Sequence, residues 1–258
     1  MNDRDELRMT TSLVLRVCAK DGSSHNGFKW PLTVGAEVVA PDWNKHPECG
    51  NGLHGWLFGQ GDHSCAQYCQ HEGAQWLVVE VDSDSIIELG GKVKFPRGVV
   101  RFAGDKKSAT DFLWENEPRS REVVVIGAQR ADLRDKAVVQ VGALGTATAG
   151  YRGTATAGAL GTATAGDCGT VTAGDCGTAT AGDRGTATAG EGGTATAGAL
   201  GPATAGYRGT ATAGEGGVIS IEYYDGNRYR RLIGAIGENG LKPNTPYRVD
   251  DGKFVEAA

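Results

Sequence analysis

The plainest pattern along this chain is an alternation of polar and apolar positions between residues 142 and 213, where Thr-Ala-Thr-Ala recurs every eight residues. A period of two puts one residue type on each side of an extended strand. The unit opens as Gly142-Ala143-Leu144-Gly145-Thr146-Ala147-Thr148-Ala149 and runs through nine copies, with only the second and third positions varying freely. A fixed short period of this kind marks a stacked solenoid. Gly-x-x-Gly is expected to form the turns, because glycine reaches positive φ without steric cost. One strand and one turn cannot close a ring, but two of each can. The prediction is a two-sided β-solenoid of sixteen-residue coils, with strands about 4.8 Å apart.

The flanking octads say which side faces in. Val139 and Val141 take the alanine positions before the first copy, with Gln140 at a threonine position, and Ile219 and Ile221 take the alanine positions after the last. Alanine is therefore predicted inward and threonine outward. In the same phase Ala131 and Leu133, then Val123 and Val125, fall on inward positions, which predicts a solenoid from about Pro118 to Ile221.

Before residue 117 the texture changes: all five tryptophans, all five histidines and four of the six cysteines lie there. This part reads as a compact, mostly β, α+β domain over residues 1–117. Strands are expected at Ser12–Cys18, Trp76–Val81 and Val99–Phe102, with a helix from Ser108 to Trp114 capped by Ser108. The turn-rich stretch from Ala40 to Gly55 is expected to be irregular. After Ile221, residues 222–258 read as a cap of two hairpins. Ile219–Tyr224 would pair with Arg228–Ile236 through Asp225-Gly226-Asn227, and Tyr247–Val249 with Lys253–Val255. A solenoid needs such a cap, because its last coil otherwise offers an open strand edge.

A net charge of −5 argues against nucleic acid as a partner. The apolar run Leu13-Val14-Leu15 is broken by Arg16, and no stretch is long enough to insert in a membrane. The expectation is a cytoplasmic protein, with a virion or cell surface left open.

The segment Ala149-Gly150-Tyr151-Arg152-Gly153-Thr154-Ala155-Thr156-Ala157-Gly158 resembles the repeats of bacterial ice nucleation proteins. The tail, with Tyr224-Asp225-Gly226-Asn227-Arg228-Tyr229, Gly237-Glu238-Asn239-Gly240-Leu241 and Pro246-Tyr247, resembles that family's C-terminal cap. The resemblance covers residues 134–258 and implies ice or ordered water as partner. It also implies self-association through a stacked tyrosine ladder. Tyr151 and Tyr207 stand 56 residues apart, or three and a half coils, so no ladder is expected here. In the N-terminal part, Gly27-Phe28-Lys29-Trp30-Pro31, Ala40-Pro41-Asp42-Trp43, Cys49 to Gly55 and Gly90 to Pro96 resemble a module of phage and prophage proteins. That neighbourhood supplies the alternative of an accessory protein using the solenoid as a stalk or homo-oligomerisation module.

The outward threonines are the leading candidate site. Stacking every sixteen residues aligns Thr146, Thr162, Thr178, Thr194 and Thr210 beside Thr148, Thr164, Thr180, Thr196 and Thr212. Their hydroxyls would form a grid of roughly 4.8 by 6.8 Å, close to repeat distances in ice. The plainer reading is that threonine simply suits an exposed strand face. The opposite face is less regular, because Pro202 replaces a threonine and removes an amide. Cys49, His54, His63, Cys65, Cys69 and His71 supply enough ligands for zinc, but without a Cys-x2-Cys pair. They read equally well as small buried residues, and no cofactor is expected. Cys168 and Cys176 sit half a coil apart and are expected to stay unbonded. Arg16, His54 and Glu80 loosely resemble ADP-ribosyltransferase-like folds, but no motif fixes their roles, and a non-enzymatic protein is expected.

Overall fold

The computed structural model describes residues 10–257, and the chain divides into two compact units, Met1–Ile126 and Gly127–Ala258. The first unit is mostly β. Its strands are β1 Thr11–Cys18, β2 Glu37–Val39, β3 Leu53–Leu57, β4 Gln75–Asp82, β5 Ile87–Glu88, β6 Val93–Phe95 and β7 Arg97–Gly104, followed by helix α1 Lys106–Asn116. They form one sheet in the order β2-β7-β4-β1-β3-β6-β5. β1 pairs antiparallel with β4 along its whole length, from Thr11 opposite Asp82 to Cys18 opposite Gln75. Val14, Cys18, Leu77, Val79, Phe95 and Val100 join one buried cluster in this unit.

The three long strands and the helix fall where the pattern places them. The helix starts earlier than expected, however, because Asp105 and not Ser108 is its cap. Asp105 accepts a hydrogen bond from the Ser108 N–H at 2.9 Å and one from its hydroxyl at 2.7 Å. The stretch taken as irregular contains β3, which lies between β1 and β6. Its glycine, Gly55, is required by close packing: a Cβ there would meet Val14 Cγ1 at 2.4 Å.

The second unit is the two-sided solenoid. One sheet stacks β8 Gln129–Asp132, β10 Thr146–Ala149, β12 Thr162–Ala165, β14 Thr178–Ala181, β16 Thr194–Ala197 and β18 Thr210–Ala213. The other stacks β9 Val138–Val141, β11 Thr154–Ala157, β13 Thr170–Ala173, β15 Thr186–Ala189, β17 Pro202–Ala205 and β19 Val218–Tyr224. All these pairings are parallel, and within the repeats each residue faces the one sixteen later. Six coils result. The alanines between the sheets are 0–4% exposed, so alanine does face in.

Three expectations about this unit are corrected. First, the stack starts at β8 and not near Pro118. Pro118–Arg121 is a 3-10 turn, held to β1 by the buried Glu117. That carboxylate accepts the Leu13 N–H at 3.1 Å and binds Arg119, whose guanidinium also reaches the Thr11 carbonyl. Second, the phase slips in the first coil. Gln129 faces Thr146 and Arg130 faces Ala147, so Arg130 and Asp132 take the inward positions. Ala131 is exposed and Leu133 is 73% exposed. The turn between β8 and β9 has no Gly-x-x-Gly and holds one residue more than the others, which moves every preceding side chain to the other face.

Third, the repeated glycines do not supply the positive φ. It falls on the variable third position instead, as at Leu144, Arg152, Leu160, Cys168, Cys176, Arg184 and Arg208, with φ from 52 to 61°. The turn closes with a bond such as Gly161 N–H to the Gly158 carbonyl, 3.1 Å. That bond with a left-handed residue at the third position alone makes a type II turn. The glycines are fixed by crowding between coils and within the turn: a Cβ on Gly158 would lie 2.6 Å from Ala143 N of the preceding coil, and one on Gly161 2.8 Å from Ala157 Cβ of its own.

Both sheets are closed at the C-terminal end. β19 continues into an antiparallel hairpin with β20 Tyr229–Ala235, and β18 is met by β21 Tyr247–Asp250, which pairs with β22 Lys253–Glu256. Tyr247 is buried beside this edge, and its hydroxyl accepts the Lys242 N–H at 2.8 Å.

Candidate functional site

The threonine rows follow from the ladder. Parallel pairing puts Thr146, Thr162, Thr178, Thr194 and Thr210 in one line, and Thr148, Thr164, Thr180, Thr196 and Thr212 in the next. Every one is half-buried or exposed, while the alanines between them are sealed. Among the described residues, no hydroxyl of either row is hydrogen-bonded to protein. Ten hydroxyl–methyl pairs therefore face outward on one sheet. Gln129 and Ala131 continue the two lines at the first coil without threonine.

The opposite sheet is a poorer grid. Pro202 drops out of the pairing between β15 and β17, which begins at Ala187 opposite Ala203. Nearby, Thr188 and Thr204 line a groove with Tyr207, Glu222, Tyr229 and Arg231. Among the described residues, two unbroken rows of threonine thus stand on the β10–β18 sheet and not on its opposite.

The edges carry a device the sequence reading missed. Asp167 Oδ1 accepts the Asp183 N–H of the next coil at 3.0 Å, Asp183 Oδ1 accepts that of Ala199 at 2.8 Å, and Asp175 Oδ1 accepts that of Glu191 at 2.9 Å. Aspartate recurring at one octad position was the available signal. Tyr151 and Tyr207 occupy turns on opposite edges, each stacked by its neighbouring arginine at 5.0 Å. Tyr207 also meets Tyr229 edge-on at 5.5 Å, and among the described residues Tyr151 and Tyr207 do not stack on one another. Cys168 and Cys176 are exposed and free.

Of the cysteines and histidines of the first unit, His25, Cys49, His54 and Cys65 line one cavity, but they do not form a ligand set. Cys49 Sγ accepts a hydrogen bond from Lys92 at 2.9 Å, Cys69 Sγ lies against the His63 carbonyl, and His71 packs edge-on against Tyr68. Among the described residues no group of three His, Cys, Asp or Glu is placed to hold a metal. Arg16 and His54 do meet, with Nη1 donating to the His54 carbonyl at 3.2 Å. Glu80 stands apart: it is opposite Leu13, on the other face of the sheet from Arg16, and is held by Arg101 at 2.8 Å. The three residues therefore form no common site. No helix among the described residues is long and apolar enough to cross a membrane.

Residues 12–114 match the family described as Domain of unknown function (DUF7666). The chain is 39% identical over 108 residues to an ice nucleation protein of Xanthomonas campestris pv. translucens, covering 41% of this chain and 7% of that protein. It is 39% identical over 103 residues to ice nucleation protein InaU of Pantoea ananas, covering 39% and 10%. It is 38% identical over 109 residues to one of Pseudomonas syringae pv. syringae, covering 42% and 9%. The chain thus spans a tenth or less of the length of these relatives. No solved structure matches it, and the likeness to phage modules gains no support from these matches. What the residues and the matches establish together is a six-coil repeat solenoid, homologous to ice nucleation proteins, carried behind a domain of unknown function.

Proposed function

We propose that this protein is a non-enzymatic binder of ice or ordered water, acting through the threonine rows of the β10–β18 sheet. The supporting observation is that ten threonines stand in two lines with hydroxyls unclaimed by protein. Parallel pairing fixes their spacing at about 4.8 Å across strands and about 6.8 Å along them. Close packing of the alanines behind them keeps the array flat, so water at the surface meets a pre-set pattern. The name of the matched relatives, ice nucleation protein, points the same way.

Size sets the kind of activity. Five rungs present a small face, so the expected effect is shaping of ice growth or inhibition of recrystallisation, with nucleation weak unless copies assemble. Thr178→Lys puts a long charged side chain at the centre of the array and leaves an exposed strand position intact. Ice-crystal morphology and thermal hysteresis should show activity in the wild type and its loss in Thr178→Lys, with circular dichroism verifying both folds. An inactive wild type, or an equally active folded mutant, makes the rows scaffold and leaves a rigid stalk as the better reading.

A further inference from the structure

The first unit holds a cavity of about 390 Å³ that the threonine rows leave unused. We propose that it binds a small anion carrying a planar ring, the class of nucleoside monophosphates and aromatic carboxylates. The cavity opens where the sheet parts. β1 pairs with β3 only at Val14 and Leu15, while Arg16, Val17 and Cys18 go on pairing with β4 alone. Arg16 lines that gap and is the one charged residue of its strand.

Charge on the walls is unbalanced. Among the described residues, neither Arg16 nor Lys92 has a carboxylate within ion-pair distance. Arg16 donates to the His54 carbonyl, and Lys92 to Cys49 Sγ. Arg16 Nε is sealed from solvent without a partner, and so is His54 Nε2. An isolated guanidinium in such a place is costly unless an anion joins it. Asp42 is the single acidic residue among those lining the cavity. The potential registers on His54, whose pKa falls to about 4 through burial first and then the charges of Lys92, Arg16 and Lys94, against a smaller pull from Asp42. The imidazole is left neutral at ordinary pH.

Shape supplies the second half of the assignment. Trp30, Phe28 and Tyr68 line the same space. The Arg16 guanidinium lies 5.2 Å from the Trp30 ring centre, and Phe28 braces Trp30 edge-on at 5.8 Å. A flat group can stack beside an arginine already stacked on an aromatic ring. The volume fits sites for small organic molecules, roughly 300–1,000 Å³, and exceeds what a bare phosphate fills. Asn26 and Asn51, on two of the lining loops, take φ of 55° and 50°, the left-handed turn conformation that asparagine tolerates.

The test uses the full chain and four probes: adenosine monophosphate, benzoate, adenosine and inorganic phosphate. Tryptophan fluorescence and calorimetry should show saturable binding of adenosine monophosphate or benzoate, with adenosine and inorganic phosphate each weaker by at least about tenfold. Which of the two ring-bearing anions binds identifies the source. Arg16→Gln and Lys92→Gln should each weaken it by about 10- to 100-fold. Should Arg16→Gln fail to fold, Lys92→Gln, on a half-exposed residue, decides alone. The proposal falls if neither ring-bearing anion saturates, if adenosine binds as tightly as its monophosphate, or if the folded variants bind like wild type. None of these outcomes depends on ice activity.

Discussion

The two units reach a folded state by opposite means. In the first, the sealed interior is built from bulky side chains, among them Leu15, Trp56, Leu77, Phe95 and Leu113. In the second, the interior between the sheets is alanine for most of its length, with larger residues at Arg130 and Asp132 in the first coil and at Val139, Val141, Val171, Ile219 and Ile221. Alanine buries little apolar area, which contributes about 25 cal/mol per Å². The solenoid must therefore rely on main-chain ladders that run through strands and turns alike, such as Thr162 N–H to the Gly145 carbonyl at 2.9 Å and Leu160 N–H to the Asp175 carbonyl at 2.8 Å. A side-chain core fails when one large residue is removed. A ladder fails when its end is opened or its spacing is forced.

That contrast can be tested from its largest consequence downward. Deleting residues 222–258 uncovers the edges of β18 and β19, and should give aggregation or loss of the solenoid's melting transition. A truncated chain that stays monomeric with unchanged melting would show that the ladder needs no cap. Next, Phe95→Ala should cost about 3–5 kcal/mol by leaving a cavity, whereas in the solenoid Ala179→Leu should cost about 1–3 kcal/mol by overfilling. Thr178→Val, one residue away and outward, should stay near wild type. Denaturant melts of the three decide it, and a costlier Thr178→Val than Ala179→Leu would break the contrast. The smallest effect concerns the turns. Leu160→Gly relieves a left-handed residue and should be neutral or stabilising by up to about 1 kcal/mol. Gly161→Ala should be plainly destabilising, because its Cβ would press on Ala157. Equal melting temperatures for the two would return the glycines to a conformational role.

How much was legible follows from the same contrast. The inward alanines, the threonine rows and both hairpins could be read because each coil contacts its neighbours at a fixed offset. The first coil misled, since one extra turn residue shifts its phase and only the pairing of Gln129 with Thr146 reveals it. In the first unit the long strands β1, β4 and β7 were visible in their apolar runs. The short strands β2, β3, β5 and β6 were hidden among glycine and proline, where pairing partners rather than local pattern decide the structure.

The sequence by itself determined the repeat, its period and the inward residue of the repeats, because these are local properties copied from coil to coil. Tertiary structure decided the rest. It separated Glu80 from Arg16 by putting them on opposite faces of one sheet, and left the described cysteines and histidines without a group placed to hold a metal. It brought Arg16 beside Trp30, Tyr68 and Lys92, residues 14, 52 and 76 positions further along the chain. No periodicity encodes a juxtaposition of that kind. It exists only once a sheet with the strand order β2-β7-β4-β1-β3-β6-β5 has closed around it.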